Sequence, residues 1–224
     1  MNRDLFLSSL EELGVHLSEA QMDAFVLFED ALYAANQVMN LTRVPREECW
    51  VRHFLDSLLF QDLIPQGVTV LDIGTGPGFP AWPLACARPD LQVSAMDSNG
   101  KMLGFLATQP LPNLSILNAR AEDQEKSEVF DVVTGRAVAP LSAQLEISAR
   151  ICRRGGKVVP MRTSSEADLI DSIDLRPLGL KLEQERVRRL PGTDVVRLFP
   201  VYTKIQPTAK GFPRRWAEIK KKPL

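Results

Sequence analysis

The segment Val70-Leu71-Asp72-Ile73-Gly74-Thr75-Gly76-Pro77-Gly78-Phe79-Pro80 restricts the folds open to this 224-residue chain more than any other part of it. An apolar run ends in an acid and then breaks into glycines at alternate positions. Such a run reads as a buried strand that turns sharply into a helix. Glycine permits the tight turn and lets the backbone approach a ligand with no Cβ in the way. At the carboxyl end of the first strand of a doubly wound sheet, a loop of this kind binds a nucleotide.

The spacing narrows the nucleotide. The dinucleotide fingerprint reads G-x-G-x-x-G and aims a helix N-terminus at a pyrophosphate. Here Gly74, Gly76 and Gly78 form G-x-G-x-G, with Asp72 two residues ahead. That pattern is typical of enzymes using S-adenosylmethionine (SAM), a cofactor without phosphate. Taken alone, the loop leaves another nucleotide and a glycine-rich structural turn open.

The remaining chain supplies the sheet. Short apolar runs predict strands at 68–73, 91–96, 114–118, 129–134 and 157–161. Helices are predicted at 80–88, 99–108, 140–152 and 164–173, and this alternation implies a parallel sheet with right-handed crossovers. Runs at 180–190 and 195–204, joined by Pro191-Gly192-Thr193-Asp194, predict a closing antiparallel hairpin. Upstream, the pattern is helical: Leu5 to Leu13, then from the capping box Ser18-Glu19-Ala20-Gln21 to about Asn36, then about 46–63. With 45% apolar residues a substantial core is affordable. The expected architecture is an α/β, Rossmann-like seven-stranded SAM-dependent methyltransferase fold with an N-terminal helical extension. Its expected parts are a helical cap (1–66), a SAM-binding domain (67–205) and a basic C-terminal tail (206–224).

The formal charge of −1 conceals an asymmetry: from Arg186 onward the net charge is +9, and before it −10. One end of the molecule is thus expected to meet a polyanion, unless the charge run is only a solvated tail. Cys49, Cys86 and Cys152 form no C-x-x-C pair and read as small buried hydrophobes, so neither a disulfide nor a metal site is expected. With no signal h-region, no Arg-rich presequence and no membrane-length apolar stretch, the expected location is cytoplasmic, with no membrane contact.

Ligands in such sheets sit beyond the strand carboxyl ends. Asp97, which ends the second strand, can accept hydrogen bonds from ribose hydroxyls. Ala121 and Glu122 follow the third strand, where SAM enzymes meet the adenine. Either acid alone can be a helix cap, but with the glycine loop they converge on SAM. The fourth strand ends at Gly135-Arg136-Ala137, where methyl donor and acceptor must meet. No Asn-Pro-Pro-Tyr or Asp-Pro-Pro-Tyr element follows, and no Pro-Cys pair. Exocyclic amine methylation and covalent pyrimidine C5 chemistry are therefore unsupported. Direct transfer to an already nucleophilic atom remains, such as guanine N7, with catalysis mainly by in-line positioning. Arg136 can anchor the cofactor carboxylate, hold a phosphate, donate to guanine O6 or merely cap a carbonyl.

Taken together, the chain resembles the bacterial 16S ribosomal RNA guanine-N7 methyltransferases, also called glucose-inhibited division protein B. The resemblance spans nearly the full length. It rests on Asn40-Leu41-Thr42, Val51-Arg52-His53-Phe54-Leu55-Asp56-Ser57-Leu58, the glycine loop, Asp97-Ser98, Arg136-Ala137 and the closing Lys221-Lys222-Pro223-Leu224. It implies SAM contacts at Gly74, Phe79, Ala121, Glu122 and Arg136, and methylation of a guanine in the decoding-region loop of the small subunit, which modulates streptomycin sensitivity. The chain departs from the family pattern at Ala81, at Met102, and at Met161-Arg162-Thr163 where Leu-Lys-Gly is usual, which puts an RNA contact by Arg162 in question.

His53 and Asp56 share a helix face and are expected to close over the cofactor, to touch the target loop, or only to tie the cap to the sheet. Trp82 is expected in the core. Arg214, Arg215, Trp216, Lys220, Lys221 and Lys222 are the expected RNA grip, with Trp216 as a stacking platform. The expected partner is 16S rRNA or a small-subunit particle, engaged by a monomer. A small-molecule methyltransferase and a non-catalytic SAM- or RNA-binding module are the rival readings.

Overall fold

The structure is a computed structural model that describes residues 2–224; residue 1 of the expected cap lies outside the described residues. Helix α1 spans Asn2–Glu12 and α2 spans Glu19–Met39. The capping box forms as the sequence predicts: Gln21 N donates to Ser18 Oγ at 3.3 Å, and Ser18 N donates to Gln21 Oε1 at 2.8 Å. Helix α2 ends at Asn40, which takes the left-handed conformation (φ 50°) that asparagine tolerates.

The third helix departs from expectation. A 3₁₀ turn at Arg46–Glu48 leads into a π-helical segment, Trp50–Leu55, then α3 at Asp56–Leu58 and a 3₁₀ turn at Gln61–Leu63. Trp50, Val51, His53, Phe54 and Leu55 are all buried, more than the single stripe of a regular amphipathic helix turns inward. The wider π turn accommodates them, and such turns recur at functional sites.

Seven strands form one sheet in the order β3-β2-β1-β4-β5-β7-β6. They are β1 (Thr69–Ile73), β2 (Gln92–Asp97), β3 (Leu114–Asn118), β4 (Phe130–Arg136), β5 (Cys152–Thr163), β6 (Leu180–Arg189) and β7 (Val196–Lys204). The first five run parallel, and β7 is antiparallel to both β5 and β6. This is the doubly wound α/β architecture expected, closed by its hairpin. The crossovers carry α4 (Ala81–Ala87), α5 (Gly100–Ala107) and α6 (Leu141–Ala149).

Two local expectations fail. Strand β5 starts at Cys152, so the preceding helix stops short. The helix expected at 164–173 is only a 3₁₀ turn, Ser164–Leu169. Short hydroxyl side chains compete there: Thr163 and Ser165 pair through their hydroxyls at 2.8 Å, which favours turns over helix. The basic C-terminal segment, in contrast, folds into α7 (Trp216–Lys221), whose Ile219 is buried in the core.

One face of the sheet is covered by the N-terminal helices, α4 and α5. Trp82 of α4 packs 4.2 Å from Phe28 and edge-on to Phe25 at 5.3 Å. It is core, as expected, and its Nε1 donates to the Gln109 carbonyl. Phe25 and Phe54 continue the cluster, so the N-terminal helices share one core with the sheet. The opposite face is covered by α6 and α7, where Leu145 and Ile219 meet Val133 and Tyr202.

Candidate active site

The carboxyl ends of β1, β2, β3 and β4 surround a cleft of about 310 Å³, within the size range of small-molecule sites. Gly74, Asp97, Ala121 and Glu122 line it, together with Ile73, Met96, Val138 and Trp216. Of the residues expected to hold SAM, these four therefore converge. Asp97 braces the glycine loop: its Oδ2 accepts from Gly76 N and its Oδ1 from Asn99 N, both at 2.8 Å. A carboxylate has about four acceptor positions, so it retains capacity for ribose hydroxyls.

The loop glycines do different work. Gly76 has φ +58°, and a Cβ there would project into open space. Its bareness leaves room for a ligand. At Gly78 (φ +120°) a Cβ would lie 2.7 Å from Leu106 Cδ1. Gly78 therefore serves close packing against the core, not close approach to a cofactor.

Asp72 lies beneath the loop, fully buried, with Oδ2 accepting from Ala81 N at 3.1 Å. Its Oδ1 and the buried Thr75 Oγ1 have no partner among the described residues. Burial pushes the Asp72 carboxyl up to about 7, opposed by the neighbouring Thr75 hydroxyl and Ala81 N–H and by the charge of Arg136. The bare loop, the braced acid and these orphaned oxygens suit a cationic, ribose-bearing ligand such as SAM.

A second basin of about 360 Å³ adjoins the first; Ala137 lines both. Arg136 belongs to the second basin, not to the walls of the first. Its Nη1 donates to Asp56 Oδ2 at 3.0 Å and to the Arg52 carbonyl at 3.2 Å, and its guanidinium lies over the Phe79 ring at 5.3 Å. Asp56 is fully buried and also accepts two hydrogen bonds from Arg197, at 2.7 and 3.0 Å. His53 stacks on Phe79 at 4.2 Å with nearly parallel rings. Phe79 is thereby a buried floor for Arg136 and His53.

Arg136 Nη2 lies 3.2 Å from His53 Nδ1, and His53 Nε2 lies 2.7 Å from Thr42 Oγ1. Since arginine only donates, Nδ1 must accept, and the ring proton sits on Nε2 facing Thr42. Burial, with Arg136 and Arg52 adding to it, pushes the His53 imidazole down to about 3. His53 is therefore neutral near pH 7 and positions Arg136 without exchanging protons. Arg197, at the start of β7, escaped sequence reasoning. Its one visible signal is a lone charge in the otherwise apolar run Val195-Val196-Arg197-Leu198-Phe199.

The expected RNA-binding residues divide. Arg162 is turned inward, only 5% exposed, and donates to Gln144 Oε1, the Ala139 carbonyl and Glu166. Arg214 is clamped to the fully buried Glu146. Arg215, Lys220, Lys221 and Lys222 are exposed, while Trp216 forms part of the first cleft's wall. Elsewhere in the basic region, Arg188 pairs with Asp62, Arg189 with Asp194, and Lys204 is buried against the Leu178 carbonyl. The surface charge available to a polyanion is thus well below the formal count. Cys49, Cys86 and Cys152 are buried and free, and no group of three or more possible metal ligands occurs among the described residues.

Comparison with known proteins gives the family and the fold neighbours of the chain. The family model for rRNA small subunit methyltransferase G matches residues 21–194. The ribosomal RNA small subunit methyltransferase G of Lachnoclostridium phytofermentans is 36% identical over 232 residues, covering 98% of this chain and 96% of that protein. The protein of the same name from Lactobacillus johnsonii is 35% identical, with 100% of both chains covered. Among solved structures, M. jannaschii TYW2 in complex with AdoMet superposes with a TM-score of 0.56 at 19% identity, over 67% of this chain and 75% of that one. A TehB-like SAM-dependent methyltransferase from Corynebacterium glutamicum gives 0.55 at 17% identity, over 78% and 98%. These two likenesses concern the fold.

Proposed function

The chain belongs to the rRNA small subunit methyltransferase G family and is a SAM-dependent methyltransferase, and on that premise we propose that it methylates N7 of a guanine in the decoding-region loop of 16S rRNA. The observation that carries the reading is the junction of two basins at Ala137, beyond the end of β4. One basin has the glycine loop and the acid for a nucleoside; the other has arginines for a nucleotide. Matches over the full chain do not favour a small-molecule methyltransferase.

SAM supplies an electrophilic methyl on a sulfonium. Asp97 would hold the ribose, Gly76 leaves room for the cofactor, Ala121 and Glu122 would flank the adenine, and the buried Asp72 ties the loop to the following helix through Ala81 N. Gly74 lines the cofactor cleft, Phe79 supports Arg136 and His53 from below, and Gly78 fixes the following helix. Transfer of that methyl to the N7 lone pair would leave the C–S electron pair on sulfur. The guanine ring gains positive charge and loses no proton, so no general base is needed. Consistent with this, His53 stays neutral at pH 7 and its ring is already occupied by Thr42 and Arg136. Arg136, fixed by Asp56, His53 and Phe79, can grip a phosphate or donate to guanine O6 while leaving N7 free. Rigid support of this kind is what in-line transfer demands.

The finer organisation belongs to the same proposal. Residues 2–66 cap the second basin, 67–205 carry the cofactor, and 206–224 contact RNA through Arg215 and Lys220, Lys221 and Lys222. A single chain acts on the small-subunit rRNA in the cytoplasm; no described helix is long and apolar enough to cross a membrane. The test is transfer of labelled methyl from SAM by the purified protein to 16S rRNA, naked and in small-subunit particles, followed by nucleoside analysis. Label in 7-methylguanosine supports the reading. Label elsewhere, or only in a soluble acceptor, contradicts it.

A further inference from the structure

The C-terminal segment does two things that its charge does not explain. It buries a complete ion pair, and it puts an aromatic ring on the wall of the cofactor cleft. Glu146, on α6, is fully buried. Arg214 meets it three times: backbone N to Oε1 at 2.8 Å, Nε to Oε1 at 2.9 Å and Nη2 to Oε2 at 2.5 Å. Arg214 Nη1 also donates to the Lys222 carbonyl at 2.9 Å, so one side chain ties α6 to both ends of α7. Ile219, fully buried, anchors the middle of that helix. Two residues after this clamp, half-buried Trp216 lines the cleft alongside Ala121, Glu122 and Ile147.

An indole offers a flat, polarisable face, and a nucleobase stacks on such a face whatever its sequence identity. The neighbours of Trp216 in the cleft are those expected around the base of the cofactor. We infer that Trp216 is a cofactor-contact residue at the adenine end of the cleft, held by the Arg214–Glu146 clamp, so that the basic C-terminal segment is part of the SAM site. The inference rests on the SAM reading of the cleft and adds a wall to it from beyond the segment that the family model matches, residues 21–194.

A consequence follows for the RNA. Arg215, Lys220, Lys221 and Lys222 are exposed on the same segment that positions Trp216. RNA held by these side chains and cofactor held at Trp216 would share one segment, and any coupling between the two is reciprocal.

The test exploits the tryptophans. Trp50 and Trp82 are 6% and 2% exposed, leaving Trp216 as the one accessible to a ligand. S-adenosylhomocysteine, which lacks the transferable methyl, is titrated into the full-length protein and followed by fluorescence and calorimetry. Binding should quench the emission of wild type and leave that of Trp216→Phe nearly unchanged. Calorimetric affinity should fall about tenfold in Trp216→Ala, which is about 1.4 kcal/mol, and return close to wild type in Trp216→Phe. Wild-type affinity in a folded Trp216→Ala overturns the inference while leaving the SAM site intact. A loss that Trp216→Phe does not restore, or a quench that persists in Trp216→Phe, also overturns it. Failure of wild type to bind the ligand overturns both the inference and the cofactor reading.

Discussion

Asp56 Oδ2 and Arg136 Nη1 lie 3.0 Å apart although 80 residues separate them in sequence, and this pair joins the N-terminal helices to the end of β4. Arg197 completes it from β7, so a single buried carboxylate fixes two guanidinium groups in the basin beside the cofactor cleft. A carboxylate in this position sets the direction in which Arg136 can act.

Asp56→Asn should therefore cost more than a surface ion pair. It leaves two arginines facing each other with no negative charge, and breaking a buried pair typically costs 3–5 kcal/mol. Both arginines keep about a fifth of their side chains exposed, which favours the lower end, about 3 kcal/mol. Urea denaturation of the two proteins at pH 7 measures it. Arg197→Ala should be milder, because Asp56 keeps Arg136 as partner.

Arg136→Lys should separate catalysis from cofactor binding. Lysine keeps the charge but cannot contact Asp56, His53 and the Arg52 carbonyl with one planar fork. Single-turnover rate with saturating SAM and RNA should drop at least about tenfold, roughly 1.4 kcal/mol. SAM affinity should change little, since Arg136 lies outside the first cleft.

The buried Asp72 gives stability a pH dependence of definite sign. Its carboxyl is pushed up to about 7 in the folded protein, whereas in the unfolded chain it titrates near about 4. Folding therefore takes up a proton between these values. The contribution is fully present below about pH 4 and is lost as pH rises through about 7. Asp72→Asn should flatten the fall in urea midpoint between pH 5 and 8, and an equal fall in both proteins would contradict the assignment.

Replacing Lys220, Lys221 and Lys222 with glutamine should weaken RNA binding and reduce its salt dependence, through loss of counterion release. All three are exposed and make no ion pair among the described residues. Filter binding across a salt series reads the slope; an unchanged slope would leave these lysines with no part in RNA binding.

How far the sequence speaks depends on the range of the interaction. The strand-helix alternation and the glycine loop are short-range patterns, and β1, its loop and the hairpin stand where periodicity places them. Asn40-Leu41-Thr42 is visible as a pattern but not as a reason. In the fold, Asn40 supplies a left-handed cap, Leu41 is buried, and Thr42 holds His53. The π turn at Trp50–Leu55 leaves no periodic signature, because its buried residues look like those of any apolar helix. The Asp56 cluster is invisible locally, since Arg197 lies 141 residues downstream. Charge counting fails in the same way: Arg214 finds Glu146 68 residues upstream, and what looks like a solvated tail is a folded strap.

In the proposed reaction this chain places a methyl on guanine N7 of 16S rRNA, using Arg136 at the junction of the two basins. Mass mapping of 16S rRNA from a deletion strain, complemented with wild type or with Arg136→Ala, tests it most directly. One 7-methylguanosine in the decoding-region loop should disappear on deletion, return with wild type and stay largely absent with Arg136→Ala. An unchanged methylation map after deletion would contradict the assigned reaction, and full restoration by Arg136→Ala would remove Arg136 from it.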